Sequence, residues 1–381
     1  MRRICIITTS HGRNDIRMYQ KQAVSLAAHD FNVYYVVADG QPDEIKGNIV
    51  LTSFGVKERG KIDRLLFLSR RLYDSVLRIN ADVYQICDPE LIPLGIKLKN
   101  KGKTVIFDSV EDWEGYYAGM YHGVVAKIMS KTMTFVLKHY LNRFDLVLVM
   151  SPNILKRLNR YAPNKVKMVS NYPITKGMQN QIINSKEQYL TNKNNFIYCG
   201  SVYDFSEQET IVNAIKKQKT EPAKYIIVGS IPDDRKESLS ELSQNGHLEL
   251  IPWVKKEELL KLYNSSICGV VIFDYTPVCC NKEGQMGSNK IFEYMMQGLP
   301  VICTDFDLWK SLIVDKYKCG ICVNPKSEEQ LADAIGYILA HKKEAYEMGQ
   351  RGRNAVLNEF NWESQAKIYL RLYDELISSM K

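Results

Sequence analysis

Short apolar runs alternate along the chain with stretches in which apolar residues recur every three or four positions. The first half reads as strand Ile4 to Thr8, helix from about Asp15 to Ala28, strand Val33 to Val37, helix from about Ile62 to Ile79, and strand Val83 to Ile86. It continues with strand Thr104 to Asp108, a helical region from about Gly123 to Asn142, and strands Leu146 to Met150 and Val166 to Val169. Strands separated by helices predict a parallel sheet, because parallel neighbours need a long crossover that a helix supplies. Between Asn171 and Asn195 the chain turns polar, as a linker or a surface segment does, and the domain boundary is expected there. The alternation then restarts with strands Phe196 to Cys199, Tyr225 to Val228, Leu248 to Ile251, Gly269 to Phe273 and Pro300 to Cys303, and helices near Gln208 to Gln218, Lys256 to Asn264 and Asn289 to Met296. Two βα-repeating domains follow, residues 1–175 and 176–361. A last helix, about Trp362 to Met380, sets Ile368, Leu372 and Leu376 with Tyr369 and Tyr373 on one stripe, and is expected to pack back on the first domain.

A length of 381 residues suits two domains, and 45% apolar with 25% charged residues is the composition of a folded globular chain. No apolar run approaches the roughly 18 residues of a membrane span. The start, Met1 to Ser10, lacks a small-residue cleavage pattern and reads as a first strand, so a cytoplasmic protein is expected. Nine cysteines then imply free thiols. Cys319 and Cys322 have CxxC spacing without a second pair or a nearby histidine, which favours packing over zinc. A net charge of +8 favours an anionic partner: nucleic acid, an acidic membrane surface or a phosphorylated small molecule. No nucleic-acid-binding motif is present, and no nucleic acid is expected. Neither half has the Gly-x-Gly-x-x-Gly of a dinucleotide fold or a P-loop.

The segment Ser288 to Ile302 reads SNKIFEYMMQGLPVI. Ser288, Asn289 and Lys290 open a predicted helix, where an ammonium and unpaired helix N–H groups act together on an anion such as a diphosphate. Glu293 shares that face three residues on; by spacing alone the two are either a surface ion pair or a binding set. Gly200 and Ser201 follow a strand, as an ordinary turn or as one that offers backbone N–H groups to a phosphate. Asp305 and Asp307 have the D-x-D spacing that can hold a divalent metal.

The Ser288 to Ile302 segment, with KCGICVNP (Lys318 to Pro325), MGQRGR (Met348 to Arg353) and FNWE (Phe360 to Glu363), resembles retaining glycosyltransferase family 4 of GT-B architecture. The first-domain set His11, Asp15, Arg17, Lys21 and Gln22, DPELIP (Asp88 to Pro93) and DSVED (Asp108 to Asp112) resembles a subgroup that builds capsule and O-antigen polysaccharides. The resemblance implies an α/β fold of two facing Rossmann-like domains with a cleft between them. It implies a nucleotide-sugar donor, expected to be UDP-linked and to need no metal. Gly200, Ser201, Trp253, Val254, Ser288, Asn289, Lys290 and Glu293 would hold that donor. Trp253 fits a buried core tryptophan equally well. His11, Asp15, Arg17, Asp88 and Glu90 would face the acceptor, a glycan or a lipid-linked glycan. Asp15 and Arg17 read equally as a helix cap and a solvated base. Lys290, Glu111 and Asp112 are the catalytic candidates.

The sequence departs from that pattern at Cys87 and Val110, where relatives have histidine, and at Gln285, the first of two glutamates seven residues apart. The turn from Gly200 to Glu207 also lacks its usual basic residue. These departures feed a rival reading, a catalytically impaired homologue that acts as a binding or scaffold partner. Two basic amphipathic stretches, Lys61 to Arg78 and Gly123 to Arg143, suit either core-facing helices with solvated lysines or an anionic membrane surface. The second leads to the expectation of a peripheral protein on the inner face of the membrane.

Overall fold

The structure is a computed structural model and describes residues 1–54, 69–121, 123–178, 185–191, 194–218 and 222–380, the side chains of 69–71 excepted. The chain divides into two compact units, Met1–Asn171 with Trp362–Lys381, and Tyr172–Asn361.

The first unit holds β1 (Arg3–Ile7), β2 (Asn32–Val37), β3 (Glu44–Lys46), β4 (Ile49–Ser53), β5 (Val83–Ile86), β6 (Thr104–Ser109), β7 (Leu146–Val149) and β8 (Val166–Met168). They lie in the order β3-β4-β2-β1-β5-β6-β7-β8, parallel except for β3. Ile4 to Ile7 and Val83 to Ile86 are buried without alternation, as in a parallel sheet covered on both faces. The order reverses between β1 and β5, and at such a point the loops leaving the strands diverge and open a crevice beyond their carboxyl ends. Asp112 caps α1 (Trp113–Met120), which is followed by α2 (Gly123–Tyr140).

The second unit holds β9 (Asn195–Cys199), β10 (Lys224–Val228), β11 (Leu248–Ile251), β12 (Ser266–Val271), β13 (Val301–Thr304) and β14 (Gly320–Val323). Its order β11-β10-β9-β12-β13-β14 is parallel throughout and reverses between β9 and β12. The helix α3 (Asn289–Met296) connects β12 to β13. Cys322 meets Cys303 of the neighbouring strand, the sulfurs 3.6 Å apart.

The last helix, α4 (Trp362–Ser378), belongs to the first unit. The Trp362 indole donates to Ser25 (3.0 Å), and the Tyr369 and Tyr373 hydroxyls both donate to Gln85 Oε1 of β5 (2.8 and 2.6 Å).

Of the two readings of the polar stretch, linker or surface segment, its described residues follow the second. Tyr172, Met178 and Tyr189 are buried, and the Tyr189 hydroxyl donates to the Ile267 carbonyl, so this polar stretch is stitched to the second unit through a few apolar positions. Residues 179–184 and 192–193 of it lie outside the described residues, as do 62–68 of the helix expected from Ile62. The sequence reading has neither the short edge pair β3–β4 nor α1. Two glycines and no apolar stripe conceal α1 in the sequence; its first turn is fixed by the Asp112 side chain accepting from Gly115 N–H.

Candidate active site

In the second unit the donor candidates gather where the sheet order reverses. Gly200 leaves β9 with φ +124°, a conformation that favours glycine, and a Cβ there would stand 2.8 Å from Lys290 Nζ. Gly229, after β10, has φ +140°, and a Cβ on it would lie 2.3 Å from the Gly200 carbonyl oxygen. The Ser230 hydroxyl donates to the Ser201 hydroxyl (2.9 Å), while Tyr198 donates to the Ser201 carbonyl (2.6 Å). Two adjacent Gly-Ser turns are thus locked together, and Lys290 lies against the first.

The Lys290 ammonium rests 5.2 Å from the ring centres of both Tyr198 and Tyr203. Among the described residues it has no hydrogen-bonded or ion-paired carboxylate. Burial lowers its pKa below the ordinary lysine value, against the opposing pull of Glu293. Two aromatic faces also stabilise the cation. Ser288 begins α3 without a side-chain cap, and the buried Asn289 Oδ1 has no hydrogen-bond partner among the described residues. The helix therefore presents unpaired N–H groups on the same side as a desolvated ammonium, a combination that favours an anion.

Trp253 and Val254 follow β11, two strands from β9, hence roughly 10 Å across the sheet at the same end. Trp253 is 62% exposed, which excludes the buried core tryptophan, and Val254 is half-buried. Asp305 is held by Lys282 (2.7 Å) and the Tyr275 hydroxyl, and Asp307 opens a separate helix. No cluster of three metal-ligating side chains occurs among the described residues. Gln285 is fixed through its Nε2 to the Val278 carbonyl (2.9 Å), while its Oε1 is buried without a partner. Tyr198, Tyr203, Gly229 and Ser230 were not legible as site residues; the second Gly-Ser pair after a strand is the one signal that pointed to any of them.

In the first unit the candidates divide. Asp88 is fully buried after β5, its Oδ2 accepting from the Thr8 hydroxyl (2.8 Å) and from the N–H (2.7 Å) and hydroxyl (3.2 Å) of Thr9. Its Oδ1 has no hydrogen-bond partner and faces His11 Nε2 at 3.9 Å. His11 Nδ1 meets Asp15 at 3.0 Å, and Asp15 also caps its helix by accepting from Met18 N–H (2.7 Å). Burial would lower the His11 pKa, but the Asp15 bond and the charges of Asp88, Asp15 and Glu111 outweigh it and hold it above the usual value. Glu90 accepts from the Thr9 hydroxyl at 3.0 Å. Glu111 has no hydrogen-bonded partner for its carboxyl among the described residues, and burial first, with Asp112 repelling, pushes it up to about 7 against the pull of His11 and Arg17.

Two expectations are corrected. Arg17 does not face the acceptor end: it is 5% exposed, and its guanidinium binds Asp108 (2.8 Å) and the Val169 carbonyl (3.1 Å) inside the unit. Asp112 is not free for catalysis, because its carboxylate caps α1 and pairs with Arg157.

Two parallel sheets, each with its polar side chains gathered beyond a reversal point, define an α/β protein of two Rossmann-like units. Residues 179–355, most of the second unit, match the family described as glycosyl transferases group 1. The fold is that of the GT-B glycosyltransferases. Sucrose-phosphate synthase from Thermosynechococcus elongatus is similar at TM-score 0.77 over 100% of both chains, with 20% identity. HepE from Anabaena in complex with UDP-glucose gives 0.71 over 98% of this chain and 99% of that one, at 10% identity. WaaG, a glycosyltransferase involved in lipopolysaccharide biosynthesis, gives 0.71 over 96% and 98%, at 12% identity. No curated protein sequence matches the chain.

Proposed function

We propose that the protein transfers a sugar, with retention, from a nucleoside-diphosphate sugar to a glycan or lipid-linked glycan in cell-surface polysaccharide assembly. The observation that carries this reading is Lys290, a half-buried ammonium that has no hydrogen-bonded or ion-paired carboxylate among the described residues, set on Tyr198 and Tyr203 against the Gly200 turn and beside the uncapped start of α3. When the bond from the sugar to the diphosphate breaks, negative charge grows on the leaving phosphates; a fixed cation and oriented amides stabilise it without reorganising. This charge also makes a metal unnecessary in the reading. Glu293, on the same face of α3, would accept hydrogen bonds from the ribose hydroxyls. HepE, with a similar fold, is described in complex with UDP-glucose, which favours UDP as the nucleotide.

The test is thermal-shift or calorimetric titration with UDP, GDP and UDP-glucose. UDP is expected to raise the unfolding temperature, since a ligand of the folded state stabilises it. Lys290→Ala is expected to weaken that binding about tenfold or more while leaving the stability of the free protein unchanged or slightly raised, because a desolvated cation is removed. If no nucleotide stabilises the wild type, the reading fails; nucleotide binding without turnover would identify the impaired homologue instead.

We further propose that α2 rests on anionic lipid. Val124, Ile128 and Phe135 are 71%, 56% and 65% exposed, and at about 100° per residue they share one face. Lys127, Lys131 and Lys138, all exposed, run along its flank. Exposed apolar side chains bordered by lysines match the charge and layering of a lipid surface. Among the described residues no helix is long and apolar enough to cross a membrane.

A further inference from the structure

The turn that brings Tyr203 to Lys290 is irregular chain, Gly200 to Glu207, between β9 and the helix Gln208–Lys216. Its two ends are tied to neighbouring strands. At the near end the Gly200 N–H donates to the Val228 carbonyl (2.8 Å) and the Val202 N–H to the Ser230 carbonyl (2.9 Å). At the far end the Glu207 N–H donates to the Ile272 carbonyl (2.9 Å), and the Phe205 carbonyl accepts from the Asp274 N–H (2.8 Å). Tyr203 stands between these ties and is 42% exposed.

Arg235 spans the gap from another element. It lies on the helix Asp233–Ser243, which follows β10, and its side chain is 14% exposed. Nη1 donates to the Tyr203 carbonyl (2.7 Å) and to the Ser206 carbonyl (2.9 Å), while Nη2 pairs with Glu209. A guanidinium suits this task, because its planar fork sends several N–H donors in fixed directions. Ser206 closes the turn on itself: its Oγ accepts from the Tyr203 N–H (3.1 Å) and donates to the Tyr203 carbonyl (2.5 Å). The Phe205 ring stacks on that of Tyr203, the centres 5.0 Å apart at 4°, and meets Phe273 edge-on at 5.2 Å. Backbone and ring of Tyr203 are thereby fixed, and Lys290 Nζ lies 5.2 Å from the centre of that ring. An ammonium on a flexible four-carbon stem that is held in place beforehand loses less freedom when an anion binds.

We propose that Arg235 is a positioning residue for the diphosphate site: by clamping the turn from Tyr203 to Ser206 it holds the Tyr203 ring on Lys290, and so keeps the ammonium at the Gly200 turn before the donor arrives. This inference rests on the transferase reading for the identity of the anion, whereas the clamp on Lys290 stands on the contacts of the free protein.

The experiment is a double-mutant cycle on the full chain with two readouts. One is UDP affinity by calorimetry. The other is the NMR resonance of the Lys290 ε-methylene in lysine-labelled protein, which the ring currents of Tyr198 and Tyr203 displace and which is assigned by its loss in Lys290→Arg. Circular dichroism verifies that each variant is folded. Arg235→Ala and Tyr203→Ala are each expected to weaken UDP binding about fivefold and to move the resonance toward that of an exposed lysine. Because both act through one ring, the double variant is expected to lose about fivefold as well, not the roughly twenty-five-fold of independent sites. Arg235→Gln, which keeps one amide donor, is expected to fall between wild type and Arg235→Ala, and it carries the cycle if the alanine variant does not fold. UDP binding unchanged in Arg235→Ala, additive losses, or an unmoved Lys290 resonance would overturn the inference. Absence of UDP binding by the wild type would instead strike the transferase reading, and the resonance then decides on the clamp by itself.

Discussion

Glu111 shows how one carboxyl can oppose stability for the sake of a site. Its pKa is raised from the model-peptide range to about 7 by burial first and then by Asp112. Between about pH 4.5 and 7 the folded state therefore keeps a proton that the unfolded chain has released. Stability falls as pH rises through that window, because there the native state binds more protons than the unfolded one. His11 acts in the same direction: its raised pKa gives stability that is complete below the unfolded value and lost as pH rises through the folded one. Glu111→Gln removes the acid's share. It is expected to unfold at a higher temperature than wild type at pH 8, by ~1–2 kcal/mol, and to match it near pH 4. Calorimetry across that range checks this, and a variant less stable than wild type at pH 8 would contradict it. The sequence offered Glu111 and Asp112 alike as catalytic candidates; only tertiary packing distinguished Glu111 from Asp112, which caps α1 and pairs with Arg157.

Two elements show what helical spacing does and does not reveal. Along the helix that begins at Asp15, His11 and Asp15 stand at the sheet end, whereas Arg17 and Gln22 bind buried Asp108 and Lys21 reaches Asn171. One sequence pattern thus serves a site and a core, and the division follows from which face of the helix the sheet covers. On α2 the lysine stripe was legible, but whether its apolar neighbours were buried was not, since periodicity alone cannot say which stripe meets the core. Phe135→Glu is expected to abolish sedimentation with vesicles of phosphatidylglycerol and phosphatidylethanolamine and to leave UDP binding intact. Lys127, Lys131 and Lys138 changed together to Gln should weaken sedimentation most at low salt. Equal sedimentation of wild type and Phe135→Glu would rule out α2 as the docking element.

At the scale of the molecule, the chain leaves its first unit at Asn171 and returns to it at Trp362. The return is fixed by a buried polar network: Tyr369 and Tyr373 donate to Gln85 Oε1, and Gln85 Nε2 donates to Gln22 (2.9 Å) and Asp108 (3.3 Å), the partner of Arg17. Removing one donor leaves the others paired, so Tyr373→Phe is expected to cost ~1 kcal/mol. Gln85→Leu strands two hydroxyls and part of the support of a buried ion pair, and is expected to cost ~2–4 kcal/mol. Urea unfolding checks both; a neutral Gln85→Leu would show that the network does not hold α4 in place.

The sequence by itself determined the alternation of strands and helices, because burying a parallel sheet on both faces demands continuous apolar strands with helical crossovers between them. It also determined the Ser288 to Glu293 segment as a candidate anion site, since a lysine at a helix start is a local property. What it did not determine was everything that depends on neighbours distant in the chain. The unit to which residues 172–191 belong is set by Tyr172 and Tyr189 finding the second core. The setting of Lys290 on two aromatic rings requires Tyr198 and Tyr203 from another element. Local spacing fixes which side chains share a face, but desolvation and pairing depend on the whole fold, and these decide which of those side chains can react.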